Sequence, residues 1–290
     1  MSGDKMIVKT RKINKATIFF ILMINLVLFL YFQNNMITTR EITIQSYKLP
    51  QVFENYKIVH LTDLHGKSFG KEQKTLVKKI KKAQPDLIVF TGDLVDSRRY
   101  NEEHSIKLIK EITEIAPVYY VTGNHEWRSG RFETLEKTLV NSGVKVLRNT
   151  SDKIEKQQDE IYIIGIDDPV SYYTINTEKN TVENALDIST KGIPSDGSFK
   201  ILLAHRPELF DLYSQYNIDL VFSGHAHGGQ IRLPFIGGLV APHQGFLPKY
   251  TSGKYMEGNS IMIVNRGLGN SIFPQRLFNR PEIIVVRLIN

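Results

Sequence analysis

Ser223-Gly224-His225-Ala226-His227-Gly228-Gly229-Gln230 follows directly on the apolar run Ile218-Asp219-Leu220-Val221-Phe222. The run predicts a buried strand, and two imidazoles one residue apart then emerge at its C-terminal end, where open α/β sheets present their ligands. The flanking glycines let the backbone turn closely around an ion, so both rings can point into one cavity and offer nitrogen to two adjacent metals. Alone, a His-x-His in a Gly-rich turn is more often a pair of surface histidines. Here four other strand ends repeat the pattern.

Lys57-Ile58-Val59-His60-Leu61 leads into Thr62-Asp63-Leu64-His65, the run at 86–90 into Gly92-Asp93, the run at 118–121 into Gly123-Asn124-His125-Glu126, and the run at 200–204 into His205. Helical patterns lie between them at 71–83, 102–115 and 131–141, with Pro85 and Pro117 marking two exits. This alternation predicts an α/β fold whose largely parallel strands gather their chemistry at one sheet edge. Further strands are expected at 41–47, 144–147, 161–166, 260–264 and 282–288. Residues 170–198 read as a polar surface excursion with a short helix near 181–188.

The chain has 290 residues, is 41% hydrophobic and contains no cysteine. Disulfides, zinc ribbons and thiol nucleophiles are thereby excluded, and any metal must be held by His, Asp, Glu or Asn. The donors at the five strand ends mix oxygen and nitrogen without sulfur, which suits Mn²⁺, Fe²⁺ or Zn²⁺ better than Ca²⁺. Two ions about 3.5–4 Å apart need a ligand able to bridge, and a carboxylate is the natural choice.

Residues 16–32 carry no charge and follow the basic cluster Lys5, Lys9, Arg11, Lys12 and Lys15. A transmembrane signal-anchor helix at 16–33 is expected, near the minimum spanning length of roughly 17 residues, with the basic tail 1–15 in the cytoplasm. A linker at 34–40 and a catalytic domain at 41–290, outside the cell membrane, complete the expected organisation. Of the net charge of +7, the tail accounts for +4. The remaining body is only mildly basic, which fits an anionic substrate and argues against nucleic acid as a partner.

The ordered blocks Asp63-x-His65, Gly92-Asp93, Gly123-Asn124-His125-Glu126, His205 and Gly224-His225-x-His227 resemble those of the calcineurin-like metallophosphoesterases over roughly residues 55–290. With Arg266-Gly267-Leu268-Gly269 and Arg276, the chain looks like the membrane-associated or exported bacterial phosphodiesterase branch. The resemblance implies a four-layer αββα sandwich of two mixed sheets. It implies two divalent metal ions, one held by Asp63, His65 and His227, the other by Asn124, His205 and His225, with Asp93 bridging. A hydroxide between the ions would be the nucleophile and His125 the general acid, oriented by a hydrogen bond from Asp96.

Beside that set, Arg206 and Arg276 are candidates for forked contacts to a substrate phosphate, and Glu126 and Asp168 for supporting roles. The expected function is hydrolysis of a phosphodiester or pyrophosphate, favouring a lipid-linked or cell-envelope precursor because the anchor holds the site at a membrane. A phosphomonoesterase or exonuclease with the same metals is one alternative. A non-catalytic, membrane-anchored metal-binding protein is the other.

Overall fold

The computed structural model describes residues 14–171, 178–195, 197–270 and 273–290. Helix α1 (Lys15–Asn35) and strand β1 (Thr38–Gln45) come first. An alternating stretch follows: β2 (Lys57–Leu61), α2 (Lys74–Ala83), β3 (Leu87–Thr91), α3 (Glu103–Thr113), β4 (Val118–Val121), α4 (Asn124–Arg128), α5 (Phe132–Asn141) and β5 (Val144–Val146). The second half runs through β6 (Thr150–Lys156), β7 (Asp159–Gly165), α6 (Glu178–Ser189), β8 (Lys200–Leu203), α7 (Phe210–Tyr213) and β9 (Leu220–Ser223). Two short hairpins, β10 (Arg232–Leu233) with β11 (Gly237–Gly238) and β12 (Val240–Ala241) with β13 (Gly245–Phe246), precede β14 (Gly253–Glu257), β15 (Ser260–Val264) and β16 (Glu282–Ile289).

One sheet has the order β1-β16-β2-β3-β4-β5 and the other β14-β15-β9-β8-β7-β6. Both are mixed: β2 to β5 run parallel, as do β7, β8, β9 and β15, whereas β16 is antiparallel to β2, and β6 and β14 are antiparallel to their neighbours.

The near-continuous apolar runs of the central strands follow from burial on both faces. Successive side chains alternate between faces, so Ile58, Val89 and Tyr119 meet Ile163, Leu203 and Phe222 between the sheets. Their neighbours Val59, Ile88 and Tyr120 face outward onto Leu76, Ile80, Leu108, Ile112 and Leu135 of α2, α3 and α5. On the far side Ile164, Leu202 and Val221 pack against Val182 and Leu186 of α6 and Phe210 of α7. Three apolar layers thus bind four structural layers, the αββα sandwich.

Three features differ from expectation. β6, a mostly exposed edge strand, and β14, an edge strand with one buried residue, are too polar to stand out as apolar runs. The linker expected at 34–40 shrinks to Met36 and Ile37, because α1 continues to Asn35 and β1 begins at Thr38. Ile37 is buried in the core, which holds the end of α1 against the domain. The surface excursion carries α6 at 178–189, longer than foreseen, while part of it and most of the basic tail lie outside the described residues. No residue of α1 is fully buried.

Candidate metal centre

Each strand-end block turns sharply back over the sheet edge. Asp63, His65, Asp93, His225 and His227 all adopt left-handed backbone, with φ of 51°, 50°, 54°, 64° and 46°. Such residues cost about 1–3 kcal/mol each and persist only where surrounding structure fixes them. Gly224 and Gly123 make the turns possible: a Cβ on the first would collide with the Thr62 hydroxyl, and one on the second with the Asp93 carboxylate.

The turns converge. Asp63, His65, Asp93 and His227 offer donor atoms within 4.8 Å of one another, and so do Asp93, His205 and His225. Asp93 is common to both groups: its Oδ2 lies 3.6 Å from His65 Nε2 and 3.4 Å from His205 Nε2. Asp63 Oδ1 stands 3.4 Å from His227 Nε2 and also accepts from the His225 backbone N–H at 3.2 Å.

Two imidazole pairs and one amide oxygen bear on what the cluster could hold. His65 Nε2 and His227 Nε2 face each other at 3.1 Å, and His225 Nδ1 faces His205 Nε2 at 3.0 Å. Asn124 Oδ1 is a buried acceptor without a donor, a rare state for a native amide. This donor set fits a pair of divalent ions, which need neutral imidazoles and ionised carboxylates and so would displace protons from His205, where Asp93 outweighs burial and holds the ring up at about 10, and from Asp63, which burial pushes up to about 7. Burial pushes His65 down to about 3, and His225 and His227 well below the usual imidazole range. Burial opposes the charge on Asp93, but His205 and His125 outweigh it and hold its carboxyl well below the usual range. His205 donates Nδ1–H to the Thr91 carbonyl at 2.7 Å, which leaves Nε2 as the nitrogen that could bind an ion.

His125 lies beside the cluster, its ring edge-on to His65 with centroids 4.6 Å apart. Its backbone N–H donates to Asp93 Oδ1 at 2.9 Å. The expected hydrogen bond from Asp96 is replaced by one from the next residue: the Ser97 N–H donates to His125 Nδ1 at 3.0 Å. Asp96 Oδ1 instead accepts the Arg98 and Arg99 amides at 2.8 and 3.0 Å, so it shapes the turn that presents Ser97. An amide donor on Nδ1 fixes the tautomer with the proton on Nε2.

Two arginines expected at the substrate face inward instead. Arg206 is buried and grips Asp168 through Nε at 2.8 Å and Nη2 at 3.0 Å, with Nη1 on Glu178 at 2.7 Å. Arg276, also buried, donates to the carbonyls of Arg266, Gly269 and Asn279, clamping the loops behind Asp63. Both guanidiniums are engaged by their own chain. Removing one partner of a buried ion pair costs about 3–5 kcal/mol. Arg206→Ala should therefore lower the melting temperature by many degrees; an unchanged melting temperature with a raised KM would restore the substrate role.

Two further carboxylates matter. Glu126 accepts four amides, from Gly123 at 2.7 Å, Asp93 at 2.8 Å, Leu94 at 2.9 Å and Val95 at 3.3 Å, locking two ligand turns together. Glu208, which belongs to no motif block, is part-buried with both carboxylate oxygens shielded and unpartnered, and its Oε1 lies 4.0 Å from His225 Nε2. Its position behind a ligand histidine follows from the chain reversal after His205, which nothing in the local sequence announces. His243 reaches over the same histidine, ring centroids 5.5 Å apart.

A sandwich of this kind, with buried carboxylates and imidazoles gathered in groups that could hold metal ions, defines a metal-dependent phosphoester hydrolase. The profile of the calcineurin-like phosphoesterases matches residues 56–229, and the chain belongs to that family. It is 34% identical over 264 residues to the Bacillus subtilis metallophosphoesterase YkuE, covering 89% of this chain and 87% of the relative. It is 27% identical over 249 residues to the Escherichia coli phosphodiesterase YaeI, covering 81% and 82%. A Danio rerio transmembrane protein with a metallophosphoesterase domain is 29% identical over 246 residues, 81% of this chain and 54% of that protein.

Proposed function

We propose that this hydrolase is a membrane-anchored phosphodiesterase or pyrophosphatase acting on a lipid or cell-envelope precursor, with its catalytic domain outside the cell membrane. The observation that carries the chemistry is Asp93, common to two ligand groups and bonded to the His125 amide. Asp63, His65, Asp93, Asn124, His205, His225 and His227 would hold two divalent cations of the Mn²⁺, Fe²⁺ or Zn²⁺ type. Such ions supply Lewis acidity toward phosphoryl oxygens and a lowered pKa for water. His125 does the proton work: with Nδ1 held by Ser97, its Nε2–H is free to donate to the departing oxygen. Asp96 supports it only through the turn.

Preference for a diester is supported by the name of the Escherichia coli relative. The lipid or envelope substrate is supported by location, because the 21-residue α1 carries no charge beyond Lys15 and is long and apolar enough to span a bilayer. We expect the purified full-length chain with Mn²⁺ to turn over bis(p-nitrophenyl) phosphate faster than p-nitrophenyl phosphate. Intact cells producing it should hydrolyse the externally added diester. Turnover of the monoester alone would remove the diester reading, and activity seen only after lysis would reverse the orientation.

A further inference from the structure

We infer that the two hairpins after β9 and the segment 273–280 form an apolar platform seated in the lipid surface. The metal centre then opens at headgroup level and draws an amphiphilic phosphoester from the bilayer. The inference rests on α1 being a membrane span.

Phe235 is fully exposed, and Ile236, Phe246, Leu247, Phe273 and Phe278 each expose more than half of their surface. Large apolar side chains gathered on one surface mark an interaction site. Phe235, Leu247 and Phe278 also adopt left-handed backbone, with φ of 65°, 53° and 51°. Bulky residues are uncommon there, and glycine or asparagine would hold the same turns at lower cost. What recommends these residues is the surface they present.

The occupant follows from continuity with α1. The Phe278 ring packs on Phe29 with centroids 5.6 Å apart, and Gln275 Nε2 donates to the Leu30 carbonyl at 3.1 Å. Phe29 stands six residues before the end of α1, about 9 Å along the axis at 1.5 Å per residue. If α1 crosses the bilayer, Phe278 is already below the membrane surface.

The hairpins are tied to the same segment. Ile231 bridges Leu277, the Arg232 N–H donates to the Leu277 carbonyl at 3.0 Å, and Leu247 N–H joins the second hairpin to the Leu239 carbonyl at 2.8 Å. Arg280 reaches back to Met36 at the helix end, where its charge suits phosphate headgroups. The platform also borders the metal centre: Asn279 Nδ2 donates to the His227 carbonyl at 2.7 Å.

The absence of cysteine allows a clean test. Full-length Phe235→Cys, Phe246→Cys, Leu26→Cys and Gln157→Cys chains are spin-labelled singly in phosphatidylglycerol–phosphatidylethanolamine nanodiscs. Gln157, exposed in the turn before β7, lies at the sheet end opposite the ligands. Collision with lipid-soluble oxygen is then compared with collision with a water-soluble nickel chelate. Labels at 235, 246 and 26 should favour oxygen several-fold over the label at 157. If 235 and 246 match 157 while 26 stays in lipid, the platform is overturned and the span survives. If 26 is bathed in water, both fall. Labels at 235 and 246 shielded from both reagents, with broadening relieved by unlabelled chain, would overturn the lipid seat in favour of a second copy.

Discussion

Asp93→Asn should reduce phosphoester turnover on the order of 10³-fold or more, a barrier increase of about 4 kcal/mol, and lower the bound metal from two equivalents to one or fewer. The substitution keeps the shape of the side chain but removes its charge and replaces one acceptor by a donor. Both consequences fall on the same atoms. Asp93 Oδ2 lies between His65 and His205, members of different ligand groups, while Oδ1 receives the His125 amide. Loss of the carboxylate leaves two clusters of neutral imidazoles facing each other with only Asp63 to offset cationic charge. Elemental analysis of the purified variant beside its kcat is the measurement. Two equivalents of metal with nearly normal turnover would remove Asp93 from the bridging position.

His125→Ala should behave differently, losing about 10²–10⁴-fold in kcat while retaining both metals. Its side chain stands outside the two ligand groups that share Asp93, and its Nδ1 is already satisfied by Ser97. A proton donor matters most when the leaving oxygen is basic. The loss should therefore be large for an alkyl leaving group and small for p-nitrophenolate, which departs unprotonated. Equal loss across leaving groups, or loss of metal, would assign His125 to the ligand set instead of to proton transfer.

Most of the sandwich was legible in the sequence for a specific physical reason. Buried parallel strands are apolar on both faces, so β2, β3, β4, β8 and β9 stood out, and each ran straight into donors whose chemistry is recognisable without knowing their partners. The arginines were not legible in this way. Whether Arg206 reaches a phosphate or Asp168 depends on a carboxylate 38 residues earlier in the chain, and the partners of Arg276 are mostly backbone carbonyls, which leave no mark on sequence. Asp96 misled for a related reason: one residue of displacement in a tight turn hands the histidine to a backbone amide. β6 and β14 were hidden because edge strands need few apolar residues. The left-handed backbone at five ligand positions had only its neighbouring glycines to betray it.

The order of the first sheet carries one more consequence. β16 lies between β1 and β2, parallel to one and antiparallel to the other. During synthesis the chain delivers α1, then β1 and β2, and must leave a vacant lane between them until residues 282–289 arrive. Every candidate ligand has been made by then, yet β2, which leads into Asp63 and His65, still lacks half of its ladder. Pairings this distant in sequence form slowly. A chain lacking residues 282–289 therefore has an open seam between β1 and β2, beside the turn that holds Asp63 and His65.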